Sequence, residues 1–300
     1  IGMRYTLFSV GERYYHGWQP RALLEVGLTE RTSIFAGYNR MFQHLHLVSN
    51  SNLGMPTDLW LPISEVIPPQ RADQLSIGAR LGLGARYQLT MEAYIKEMHN
   101  LTDYRDGIVL NDQSTNWDQV LTLGQGHSRG IELMLERSHG AFTGWATYTL
   151  SWTDRTFHEI NLGEPFPFQY DRRHGVNLFI TYSFSPTRTV SVSWVASSGH
   201  WMTVNHDNYM VGRMEILNLS NRNNFRLSPH HHLDISYTSS KEKRRGTRSW
   251  VLGVYNAYAN HNTFMILRRD PNTNDYDPKH LQSLAIFPVV PFVAWEYVFK

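Results

Sequence analysis

A two-residue rhythm runs through this chain and constrains its fold more than any single motif. Residues 189–196 read TVSVSWVA, placing Val190, Val192, Trp194 and Ala196 on one face and Thr189, Ser191 and Ser193 on the other. In residues 233–238, Leu233, Ile235 and Tyr237 oppose Asp234, Ser236 and Thr238. In residues 176–184, Val176, Leu178, Ile180, Tyr182 and Phe184 oppose Asn177, Thr181 and Ser183. Side chains alternate across a strand, so each segment has one apolar and one polar side. In lipid every backbone polar group must be paired, and a closed sheet with an apolar exterior and a wet interior satisfies that demand. The expected fold class is all-β: a transmembrane antiparallel β-barrel, one unit over residues 1–300.

Composition narrows the alternatives. Cysteine is absent, which removes disulfides, thiolate chemistry and Cys-based zinc sites. With 28 Lys+Arg against 26 Asp+Glu there is no basic excess of the kind that nucleic acid demands. The 9 Trp, 16 Tyr and 14 Phe suit the interfacial girdles of a membrane barrel, and equally the core of a soluble β protein. The longest apolar stretch, Leu284 to Trp295, covers 12 residues and is broken by Pro288 and Pro291. A spanning helix needs about 20. The chain opens at Ile1 in what already reads as a strand, so the true N-terminus is expected upstream.

Twelve strands are expected, near 2–10, 20–28, 32–47, 71–82, 85–98, 117–136, 140–155, 173–184, 187–198, 229–240, 247–259 and 289–299. The connections 29–31, 83–84, 137–139, 185–186 and 241–246 are short. Those at 11–19, 48–70, 99–116, 156–172, 199–228 and 260–288 are longer, and the two kinds alternate. In an up-and-down meander one end then carries tight turns and the other large loops, as in outer-membrane barrels with periplasmic turns and extracellular loops. By that parity the last strand, VPFVAWEYVFK, leaves the C-terminus in the periplasm, with Trp295, Tyr297 and Phe299 on one face and Glu296 on the other. Such an ending suits recognition by the barrel-assembly machinery.

Several segments together resemble the C-terminal part of TonB-dependent outer-membrane receptors, particularly the Bacteroidetes group. They are PTDLWLPISEVIPPQRADQLSIGAR (56–80), GHSRGIELMLERSHGAFTGWATYTLSWTDRTF (126–157), PFQYDRRHGVNLFITYSFS (167–185), LSPHHHLDISYT (227–238) and WVLGVYNAYANHNTF (250–264). The resemblance implies a barrel of about 22 strands around an N-terminal plug. These 300 residues would be its C-terminal half, with the plug, the remaining strands and the TonB-contacting segment outside the chain. It further implies nutrient uptake across a bacterial outer membrane, with outer-membrane lipids as surroundings and no cofactor. The ending differs from that of SusC-type glycan importers, and a surface lipoprotein cap stays an open alternative.

Candidate binding residues sit where loops meet strands. His44 and His46 stand two apart, hence on one face of a strand, and His230, His231 and His232 open a strand. Neutral imidazoles can bind a metal or haem iron, so His44, His46, His230 and His232 are metal candidates; the plainer reading is loop histidine without a ligand. Asp171, Arg172, Arg173 and His174 lie at a loop-to-strand junction, where they engage an anionic substrate or, more ordinarily, brace loops through ion pairs. Trp60 and Trp201 fall in long loops and could stack on a ligand. Together with His230 and His231 they complete the substrate-binding candidates. Arg80, Glu92, Lys96, Glu132 and Asp234 should face the interior by alternation. Gly124, Gly126 and Gly130 loosely resemble a nucleotide loop, but a strand follows where that motif requires a helix. Lys241–Arg245, KEKRR, lies in a short turn, either solvated or against anionic headgroups.

Three function classes follow. The first is an energy-coupled importer whose loops capture a scarce nutrient such as a metal chelate, haem, cobalamin or an oligomer, and which is not an enzyme. The second is a self-contained twelve-stranded barrel: a pore, an autotransporter translocator, or a phospholipase-like enzyme, for which Ser193 and His200 are the nearest Ser/His pairing. The third is a soluble β protein, which the many outward apolar positions disfavour.

Overall fold

The computed structural model describes residues 1–49, 58–106, 118–204, 208–211, 214–217, 221–268 and 281–300. Twelve strands follow one another in chain order in one antiparallel sheet. They are β1 Gly2–Val10, β2 Arg13–Thr29, β3 Thr32–Gln43, β4 Gln70–Leu83, β5 Tyr87–Tyr104, β6 Leu121–Arg137, β7 Phe142–Phe157, β8 His174–Ser185, β9 Arg188–Ser197, β10 His230–Lys243, β11 Gly246–Tyr255 and β12 Val290–Phe299. A short thirteenth strand, Phe166–Pro167, pairs with Asp154 and Arg155 of β7.

The register fixes the two faces. One row runs Ala36–Ile77–Ala93–Ile131–Leu150 across β3 to β7, and its neighbour in the later strands is Val192–Ile235–Val254–Pro291. On the opposite face Phe35, Gly78, Glu92, Glu132 and Thr149 align, as do Thr181, Ser191, Ser236 and Gly253. Arg80, Lys96 and Asp234 share that polar face, as alternation requires. Ile77 and Leu24 are 65% and 66% exposed. Apolar side chains that bare in mid-strand are explained by lipid as their solvent.

Three expectations are corrected. The connection expected over 11–19 is a tight turn at Gly11–Glu12, because β2 begins at Arg13 and pairs back onto Val10. In that extension Gln19 is buried, donating to the Thr6 hydroxyl at 3.2 Å and accepting from the Phe42 amide at 3.3 Å. The strand expected to run to 47 ends at Gln43, and Leu45–Ser49 forms a separate hairpin with Asp58–Pro62. Strand β11 stops at Tyr255, where Asn256 turns the chain with φ 52°. The other connections on the loop side, 44–69, 105–120, 158–173, 198–229 and 256–289, remain long, and those on the turn side, 30–31, 84–86, 138–141, 186–187 and 244–245, remain short.

The packed core lies in the loops. At Asn100 (φ 57°) β5 bulges against β6, and the Asn100 amide donates to the Pro69 carbonyl at 3.0 Å. Beyond the bulge both faces of β5 are covered. Leu101 joins Phe157, Ile160 and Phe166 on one side, while Thr102 meets His46 on the other. A second cluster joins Val48, Leu61, Ile67, Val120 and Leu121.

Candidate functional site

The site forms where the long loops meet the polar face of β8 to β11. Asp171 is its structural hub. Its carboxylate is 1% exposed and accepts from the Thr153 amide at 2.9 Å, the Trp201 indole at 3.2 Å and the Arg226 guanidinium at 2.8 Å. Arg173 approaches it at 3.6 Å while covering the Trp152 ring. Arg226 in turn lies over Trp201, 4.4 Å from the ring centroid. Asp171, Arg173 and Trp201 therefore act here as a brace. A second brace joins distant loops: Arg222, 5% exposed, reaches Asp103 at 3.1 Å and Asp106 at 3.6 Å, and Asn161 links both through the Arg222 amide and Asp106.

Next to the Asp171 hub the polar face carries imidazoles. His230 Nε2 and His232 Nδ1 are 3.2 Å apart, His232 Nε2 is 3.6 Å from Asp234, and Tyr255 packs on the His232 ring at 4.8 Å. Asp234 is held by the Asn256 amide at 3.0 Å. Ser197 pairs with His230 in register and accepts from Arg172 at 3.0 Å. Arg172 and His200 lie within electrostatic reach of His230. Burial, and then the Arg172 charge, hold the His200 imidazole below its ordinary pKa. The group thus offers one fixed cation, two imidazoles in contact and an oriented carboxylate, which suits an anionic ligand or an imidazole-binding one.

The other candidates disperse. Pairing alternation turns His231 to the apolar face, where Nδ1 meets the Tyr258 hydroxyl at 2.8 Å. His174 stacks on Tyr148 and bonds its hydroxyl at 2.9 Å. Trp60, 58% exposed, lies on the separate loop hairpin. His44 and His46 do not share a strand face, because β3 ends at Gln43 and His46 belongs to the separate Leu45–Ser49 hairpin; His44 stacks on Phe8 at 5.2 Å. His46 is fully buried, and its Nδ1 lies within hydrogen-bond distance of the Thr102 hydroxyl at 2.7 Å and the Gln70 side-chain amide at 2.9 Å. Burial pushes its pKa down to about 4, partly opposed by the Pro68 carbonyl. Among the described residues no three His, Asp or Glu converge as a metal cage. Ser193 pairs with Asp234 on β9–β10, whereas His200 lies past the end of β9, so the Ser/His pairing does not form. The three glycines of β6 serve packing: a Cβ on Gly130 would sit 2.8 Å from the Leu150 carbonyl.

Sequence reasoning missed Ser197, Tyr255, Asp103, Arg222 and the asparagines of NAYANHN. Asn256 donates to the Asn260 and Phe287 carbonyls at 2.9 and 3.1 Å, and Asn260 and Asn262 both donate to the His231 carbonyl. Three asparagines following a strand were the available signal, since this side chain caps turns and tolerates positive φ.

An antiparallel meander with one apolar and one polar face, tight turns at one end and a packed cap of loops at the other, defines the class of outer-membrane β-barrels. The TonB dependent receptor-like, beta-barrel family matches residues 1–274, and the chain belongs to that family. No curated protein matches it. Among solved structures it is similar to the ferric yersiniabactin uptake receptor FyuA from Yersinia pestis, with 12% identity, TM-score 0.61, and 96% of this chain against 38% of that one. It is also similar to the ferripyoverdine receptor of the outer membrane of Pseudomonas aeruginosa, with 14% identity, TM-score 0.55, and 84% against 31%. A third is the ferric-catecholate import receptor Fiu from E. coli K12, with 16% identity, TM-score 0.52, and 95% against 35%. The chain spans about a third of the length of these structures.

Proposed function

We propose that this chain is the C-terminal half of the barrel of a Bacteroidetes-type TonB-dependent receptor that binds a scarce nutrient on its outer loops and imports it. The match over residues 1–274 carries this reading, and the long loops confined to one end support it. The plug, the other strands and the TonB-contacting segment belong to parts outside the chain, and the short turns with the C-terminus face the periplasm. Barrel-assembly factors and outer-membrane lipids are its further partners, and a surface lipoprotein is the remaining candidate. The ferric-siderophore neighbours favour a metal chelate. Arg172, His230 and His232 would contact such a ligand from the polar face.

Intact mass of the native protein extracted from the outer membrane tests the reading first. A mass more than twice 34.9 kDa supports a receptor with a plug. A heat-modifiable monomer near 34.9 kDa contradicts it and restores the small barrel. In the full protein, Arg172→Ala with His230→Ala should weaken chelate binding about tenfold or more, while leaving the folded barrel intact.

A further inference from the structure

The short-turn rim of the last strands carries a surface that the import reading leaves unused. Pairing in register places Arg188, Ser239, Trp250 and Trp295 side by side on the apolar face, and one step nearer the turns Lys241, Arg248 and Tyr297. Lys243, Gly246 and Phe299 form the last row. The two acids of this region, Glu242 and Glu296, fall on the opposite face, aligned with Thr247 and Ser249. Arg244 and Arg245 close the turn, and Lys300 donates its amide to the Arg245 carbonyl. Among the described residues none of Arg188, Lys241, Lys243, Arg244, Arg245 or Arg248 forms an ion pair with a carboxylate. Arg137, at another short turn, contrasts with them: it bonds the Tyr87 hydroxyl at 2.8 Å and covers the Tyr87 and Phe142 rings.

Unpaired cations interleaved with the aromatic rings of this rim meet a membrane at the depth of its headgroup phosphates. Trp250, Trp295 and Phe299 are 44%, 55% and 78% exposed, and aromatic rings of this kind settle at the interface. Strands lie about 4.8 Å apart, so Lys241 and Arg248 on neighbouring strands can share one phosphodiester. We propose that this rim binds the phosphate of an anionic phospholipid. The assignment to the periplasmic leaflet rests on the import reading; the lipid preference does not.

The test uses the full receptor in bilayers of phosphatidylethanolamine with trace spin-labelled phosphatidylglycerol or spin-labelled phosphatidylethanolamine. The native protein should retain the anionic probe roughly fivefold more strongly, and Lys241→Gln with Arg248→Gln should bring the two probes level. Equal retention by the native protein, or an undiminished preference in a heat-modifiable double variant, overturns the proposal. An Arg244→Cys receptor labelled from outside intact cells would instead overturn the orientation, leaving the lipid measurement to stand by itself.

Discussion

The two ends of one sheet are built on opposite principles. Among the described residues nearly every buried apolar side chain is found at the loop end, including Val48, Leu61, Ile67, Leu101, Phe157, Ile160 and Val204. Polar groups there are paired across long stretches of chain, as Arg222 with Asp103 and His46 with Thr102. Towards the turn end the apolar side chains are bare, and the last hairpin leaves its cations unpaired. Water surrounds the loops, so they need a core of their own, whereas the strands below need none because lipid replaces it. The difference teaches that burial in this protein reports distance from the membrane and not distance from the centre of the sheet.

Breaking the loop end should cost most. Asp171→Ala strips an acceptor from Thr153, Trp201 and Arg226 at once and should destabilise the loop cap by about 3 kcal/mol, seen as faster proteolysis of the loops in folded barrels. Asp171→Asn should lose less, since it keeps an acceptor for Thr153.

The buried His46 gives a comparable effect through pH. The unfolded chain takes up its proton near 6.5 and the folded loop near 4, so the contribution is full above pH 6.5 and declines as pH falls through that window. At lower pH about 3 kcal/mol of local stability is lost, and hydrogen exchange of Leu45–Ser49 should accelerate there. A His46→Gln protein should lack this pH dependence.

A smaller contrast separates the two faces. Ile77→Arg, on the apolar face, should cost about 2–4 kcal/mol in lipid, while Ser76→Arg, its neighbour on the polar face, should cost little in denaturant titrations of barrels in vesicles. The smallest effect is expected at Arg80 and Glu25. Their 2.5 Å ion pair joins side chains 40% and 38% exposed, so Arg80→Ala should change stability by under about 1 kcal/mol.

The sequence made the turn end and the facing of the strands legible, because alternation is local. Arg80, Glu92, Lys96, Glu132 and Asp234 could be assigned to one face from parity alone. The outer part of β2 was missed: beyond the lipid, Tyr14, His16 and Trp18 alternate with Tyr15, Gly17 and Gln19 without apolar contrast. Tyr15 instead bonds the Ser64 carbonyl at 2.8 Å, in a distant loop. The candidate site was legible only in pieces. Parity separates His231 from His230 and His232, but the bracing of Arg173 and Trp201 through Asp171 depends on loops whose meeting no local pattern records. His46 was read as sharing a strand face with His44 because nothing in its neighbours announces Thr102, 56 residues on.

The central claim is that one face of this sheet lies in lipid and the other in water. Single spin labels placed in turn at residues 190 to 195 of β9, in the full protein reconstituted into vesicles, test it directly. The account predicts that labels at 190, 192 and 194 are relaxed by oxygen dissolved in the bilayer, and that labels at 191, 193 and 195 are shielded from it. Equal access at both sets, or relaxation of 190, 192 and 194 by a water-soluble agent, would contradict it.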